Sequence, residues 1–260
     1  MSRGRILAAG LTAIVLTCMA GGTQAWAVVN GPLDGNNHPS VGFMFAQQTD
    51  PGTCNSELVG GCSAILVSST VAITSGGCAD SFLNGGPFNI TAVWLNVNPD
   101  NPFDCSTALR VDSIHLHPNY VAGQPLSTGD IGVLVLAAPT TVAPATLPTA
   151  NSQGGYNRGD LFEIVNWGGI TKGNVYDYRR RFSPAEFTSG DADFLGFKLT
   201  LNGSHICMGG IEGGGAFLPS SQNVTSLIID GSASGCKASR LLRLDTANVR
   251  DFLDDYMTLP

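Results

Sequence analysis

The chain has 260 residues, with 13 basic and 20 acidic side chains, a formal charge of −7 and 33 glycines. The acidic balance excludes a nucleic-acid surface and an affinity for anionic membranes. The length supplies one large or two small cores, and abundant glycine with short apolar runs predicts an all-β protein rich in turns.

The N-terminus has the pattern of an export signal. Arg3 and Arg5 precede an apolar stretch from Ile6 to about Met19, and Ala25-Trp26-Ala27 fits small-x-small cleavage. Residues 1–27 are therefore expected to be removed. Their loss takes two arginines and no acid, so the formal charge moves from −7 to −9. No other segment approaches the roughly 18 apolar residues needed to span a bilayer. Thr17 before Cys18 suits lipid attachment poorly, so no membrane anchor is expected. A secreted or periplasmic monomer follows.

Six cysteines remain: Cys54, Cys62, Cys78, Cys105, Cys207 and Cys236. An even number in an exported chain predicts disulfides, with the pairing left open by sequence alone. No Cys-x-x-Cys pair is present, so no metal and no cofactor are expected.

In chain order, Val41–Ala46, Ala64–Val67 and Val71–Thr74 read as strands bounded by Ser/Gly turns. A strand end is expected at His117-Pro118-Asn119-Tyr120, and another strand at Asp130–Leu136. Pro139–Pro148 is an Ala/Thr/Pro-rich connection, and Val165-Asn166-Trp167-Gly168 begins a further strand. Arg179-Arg180-Arg181 reads as a solvated loop. Val249, Phe252, Leu253 and Tyr256 lie at helical spacing near the C-terminus. No internal repeat is evident.

The run from Cys62-Ser63-Ala64-Ile65-Leu66 to Thr74-Ser75-Gly76-Gly77-Cys78 resembles the signature of trypsin-like serine peptidases. Val28-Val29-Asn30-Gly31 is similar to the start of their mature chains. Asp130-Ile131-Gly132-Val133-Leu134 is similar to the strand that carries their aspartate. The resemblance covers residues 28–260. It implies two six-stranded antiparallel β-barrels and a C-terminal helix. Barrel 1 would span about 28–138, barrel 2 about 139–245 and the helix about 246–257. It also implies disulfides Cys62–Cys78 and Cys207–Cys236, which leaves Cys54–Cys105 as the third.

A serine peptidase needs a serine oxygen, a histidine that takes its proton, an aspartate that holds the histidine, and backbone donors for the oxyanion. The resemblance puts the aspartate at Asp130. It puts the histidine position at Gly77, which has no side chain. In the loop Cys207–Leu218, one register places Glu212 at the serine position with Ile211 before it. A shift by one places Gly213 there instead. The first register lets Gly-Gly-x-Ala-Phe-Leu continue without a gap. Neither offers a serine. Gly210 and Gly213 would form the oxyanion loop. His205, Gly231, Ser232 and Ala233 would line the specificity pocket, and His205 is not the carboxylate that selects Lys or Arg. Val28 would insert its amine, with Glu212 turned inward as its partner.

His115 and His117 share one strand face, a pattern more often structural than metal-binding. The expected function is that of a secreted, non-catalytic homologue that binds a protein or peptide. An active serine endopeptidase is the alternative. An exported carbohydrate or surface-polymer binding module is a second one, with three tryptophans as thin support. Asn89, Asn202 and Asn223 head Asn-x-Ser/Thr sequons.

Overall fold

The computed structural model describes residues 28–48, 54, 58–84, 89–124, 126–168, 170–171, 175–202, 204–206, 212–229 and 238–260. Strand β1 (Val28–Val29) leads into barrel 1. That barrel is built from β2 (Val41–Gln47), β3 (Leu58–Leu66), β4 (Val71–Thr74), β5 (Ala92–Asn96), β6 (Ala108–Leu116) and β7 (Gly132–Leu136). Helix α1 (Gly76–Leu83) follows β4. Barrel 2 uses β8 (Leu161–Trp167), β11 (Arg180–Gly190), β12 (Phe194–Leu199), β14 (Gly215–Phe217), β15 (Val224–Leu227) and β16 (Ala238–Arg243). Two short pairs accompany the barrels: β9 (Ile170–Thr171) with β10 (Val175–Tyr176), and β1 with β13 (His205–Ile206). The chain ends in α2 (Ala247–Asp254).

Both barrels close, in the orders β2-β3-β4-β7-β6-β5 and β11-β12-β16-β15-β14-β8, with every neighbouring pair antiparallel. Closure leaves neither barrel with an open sheet edge. The two-barrel fold with a C-terminal helix expected from sequence is therefore present. Among the described residues no helix is long and apolar enough to cross a membrane.

Strand β2 shows how the barrels are joined. All seven of its residues are buried. Alternate side chains point to opposite faces of a strand. Val41, Phe43 and Phe45 therefore enter a core shared with Val165 and Trp167 of barrel 2, whereas Met44 and Ala46 pack into a separate cluster of barrel 1. Trp167 is fully buried and donates its indole N–H to Val41 O at 2.8 Å. The Trp167 backbone N–H donates to Ser63 Oγ at 2.9 Å. Burying an indole this size contributes on the order of 3 kcal/mol, and its N–H is paired as burial demands.

Helix α2 is capped by the Thr246 hydroxyl, which accepts from Val249 N. It buries Val249, Phe252 and Leu253, one stripe at i, i+3 and i+4. Phe252 packs edge-on to His117 at 5.0 Å between ring centroids, so a barrel-2 appendage lies against barrel 1.

Arg180 corrects the solvated-loop expectation. It opens β11 and is 1% exposed. Its Nε pairs with Asp34 Oδ2 at 2.9 Å, and its terminal nitrogens donate to the carbonyls of Val41, Val97 and Gly35. A buried guanidinium persists only when its donors are satisfied in this way.

Candidate functional site

Three segments meet at the predicted site: α1, the turn before β7 and the segment entering β14. Ser75 caps α1 by accepting from Cys78 N at 3.1 Å. The next free donor of the helix start, Gly77 N, donates to Asp130 Oδ1 at 3.0 Å. Asp130 is 7% exposed. The structure thus brings Asp130 to Gly77 from 53 residues away. A Cβ placed on Gly77 would find Tyr120 Oη at 3.8 Å, an ordinary contact, so the backbone there could carry a side chain. Burial pushes the Tyr120 phenol above its ordinary value, and the charges of Asp80 and Asp130 push the same way.

Glu212 approaches from the other side. Its carbonyl accepts from Ser63 N at 2.8 Å. Its carbonyl oxygen and carboxylate Oε2 lie 3.6 Å and 3.9 Å from Cys78 Sγ. That sulfur is bonded to Cys62 and carries no hydrogen, so these are van der Waals contacts. Cys62, Cys78 and Glu212 are close enough to share a metal ion, but the disulfide removes both thiolates.

Gly213, the serine position in the shifted register, has no room for a side chain. It adopts φ +94°, and a Cβ there would lie 2.0 Å from Ser63 O and 2.3 Å from Thr74 Oγ1. No side chain fits. The residue of this turn that presents a side chain to the Cys62–Cys78 bridge is Glu212. Asp130 and Glu212 thus meet adjacent residues at the start of α1, Gly77 and Cys78.

Two disulfides are present among the described residues, Cys62–Cys78 and Cys54–Cys105. The expected Cys207–Cys236 bridge lies outside them, as do Gly210, Ile211, Gly231, Ser232, Ala233 and residues 1–27, read above as an export signal. His205 sits in β13 opposite Val29.

Val28 is fully buried, but its N–H donates to Asn166 Oδ1 at 3.0 Å. In the full chain this nitrogen is a peptide amide and Asn166 on β8 is its acceptor, while the Glu212 carboxylate lies beside the disulfide. Ser204 is buried and bonded to Ser183 Oγ and Leu201 O. His115 bonds Ser113 Oγ at 2.9 Å. His117 bonds Asn248 O and accepts from Asn119 N, so the two histidines serve separate partners.

A second constellation escaped the sequence reading. A cavity of about 280 Å³ is lined by Asp34, His38, Glu163, Ser221 and Gln222 among others. Within it, His38 Nδ1 meets Asp34 Oδ1 at 2.6 Å, and the other Asp34 oxygen holds Arg180. Burial pushes the Asp34 carboxyl up. The His38 hydrogen bond, the His38 charge and the Arg180 charge outweigh it and hold Asp34 below its ordinary value. The Asp34/His38 spacing of four residues was the available signal; nothing local points to Glu163 or Arg180.

The fold is that of the trypsin-like serine proteases. HL collagenase aligns with a TM-score of 0.68 at 12% identity, covering 88% of this chain and 98% of that one. Neuropsin, a serine protease expressed in the limbic system of mouse brain, aligns at 0.65 with 14% identity over 89% of this chain and all of its own. Human heparin binding protein aligns at 0.63 with 15% identity over 90% and 99%. No family model matches the sequence. In sequence, the chain is 32% identical over 130 residues to a fibrinolytic enzyme, isozyme C, of Lumbricus rubellus. That match takes in 48% of this chain and spans about half the length of the curated relative, 50%.

Proposed function

We propose that this chain is an exported, non-catalytic homologue of trypsin-like serine peptidases that binds a protein or peptide. One observation carries the reading: the Asp130 carboxylate is taken up by the backbone N–H of Gly77, and the side chain facing this turn is the carboxylate of Glu212. Acyl transfer needs an imidazole between the aspartate and a hydroxyl nucleophile. Here the imidazole position is a hydrogen, and the nucleophile position is an anion. A carboxylate there repels a developing oxyanion instead of stabilising one. Asp130 becomes a structural anion at the start of α1. Glu212 becomes a negatively charged floor for the cleft, suited to a peptide that brings a donor or cation.

Export is supported by the N-terminal pattern of residues 1–27 and by two disulfides. A second reading, proteolysis, is favoured by the name of the Lumbricus rubellus relative. A polyanion such as the one named for the human heparin binding protein suits this chain poorly, because its formal charge is −7.

The test is hydrolysis of casein and a peptide library by purified, disulfide-intact protein. No turnover, together with saturable capture of library peptides, is the expected result. Sustained turnover that survives repurification overturns the proposal.

A further inference from the structure

The cavity beside His38 contains an electrostatic conflict. Asp34 receives His38 Nδ1 at 2.6 Å, which leaves Nε2 as the nitrogen that faces the cavity. That atom is buried, has no hydrogen-bond partner and lies 3.4 Å from Glu163 Oε2. A neutral imidazole would point its lone pair at a carboxylate. A protonated one would present an N–H with no aligned acceptor, at a site where His38 is 2% exposed. A cation placed between the two atoms resolves both cases.

We propose that this cavity is a binding site for a divalent cation of the zinc class, with His38 Nε2 and Glu163 Oε2 as ligands. Zinc sits about 2.0–2.1 Å from imidazole nitrogen and about 2.0–2.2 Å from carboxylate oxygen, so two of its tetrahedral ligands stand about 3.4 Å apart. The observed spacing is 3.4 Å.

The surroundings fit a metal site. A ligating histidine ordinarily gives its other ring nitrogen to a carboxylate, which fixes the tautomer and raises its basicity. Asp34 does this, and is itself held by the His38 backbone N–H at 3.0 Å and by Arg180. Glu163 Oε2 also accepts from Ser220 N at 3.2 Å, which orients it and leaves a lone pair. Gln222 lines the same cavity: its Nε2 donates to Asn37 O, and its Oε1 is buried without a partner. The cavity volume, about 280 Å³, leaves room for water as the remaining ligands. His38 opens the turn before β2 of barrel 1, and Glu163 lies on β8 of barrel 2. The ion is thus a clip between the barrels, remote in role from the Gly77–Glu212 cleft.

The experiment uses tag-free, disulfide-intact protein stripped with a chelator and titrated with Zn²⁺ by calorimetry and thermal melting. One equivalent binds. Tm rises by roughly 5–10 °C when free zinc exceeds Kd a hundredfold. Co²⁺ gives the intense visible band of a four-coordinate ion. Glu163→Gln, on a strand position that tolerates the amide, weakens both by roughly tenfold to a hundredfold. His38→Gln gives a second reading should either variant fold poorly. No binding at millimolar Zn²⁺, or equal affinity and an unchanged Co²⁺ spectrum in Glu163→Gln, overturns the site.

Discussion

Gly77 donates its backbone N–H to Asp130 Oδ1 at 3.0 Å, across 53 residues of sequence. The bond satisfies one of the orphan donors of α1 and puts an anion at the positive end of its dipole. Asp130→Ala is expected to lower stability by about 1–2 kcal/mol in urea unfolding, with Asp130→Asn milder because it keeps an acceptor. A neutral Asp130→Ala would remove the structural role assigned here.

The two glycines of the cleft should respond oppositely. Gly77 is in a helix where a Cβ would make only an ordinary contact, 3.8 Å to Tyr120 Oη, so Gly77→Ala should stabilise by about 0.5–1 kcal/mol. Gly213→Ala meets Ser63 O at 2.0 Å with φ +94°, and should cost roughly 3 kcal/mol or more. Thermal melts of the pair check this; equal effects would mean that the turn at Gly213 is looser than described.

Asp34 gives the acid response its sign. Its folded carboxyl is held below the ordinary value, against the pull of burial, by His38 and Arg180. Its contribution is therefore present above the ordinary carboxylate range, about pH 4, and is lost as pH falls through the lowered value. Tm should drop on acidification below about pH 4. Asp34→Ala should cost about 3–5 kcal/mol at pH 7, because it strands the buried Arg180 charge. A variant as stable as the parent at neutral pH would refute this.

The alternation of β2 and the Asp130 strand were readable because period-2 patterning is local. Arg180 was not. Three consecutive arginines look alike in sequence, and only the β8–β11 register turns the middle one inward to Asp34. Helix α1 was hidden for a similar reason. Gly76 and Gly77 disfavour a helix start, and the Asp130 carboxylate that supports it comes from a distant loop. That Gly213 admits no side chain was not legible either, because the atoms that exclude it, Ser63 O and Thr74 Oγ1, come from distant strands of barrel 1. The Val28 acceptor, Asn166, was visible as a residue but not as a partner.

The Cys62–Cys78 bridge, with a sequence separation of 16, pins β3 to α1 beside Glu212. Replacing both cysteines by alanine should cost about 3 kcal/mol on the loop-entropy estimate. Guanidinium midpoints of the double variant and the parent measure it. Unchanged midpoints would show that the loop is held by other contacts.

The central claim is that the cleft holds no activated nucleophile. Treatment of the purified, disulfide-intact protein with a serine-directed fluorophosphonate, followed by peptide mapping, tests it most directly. The expected result is no labelled peptide under conditions that label an active trypsin-like control to completion. A stoichiometric adduct on any serine would contradict the claim and identify the nucleophile.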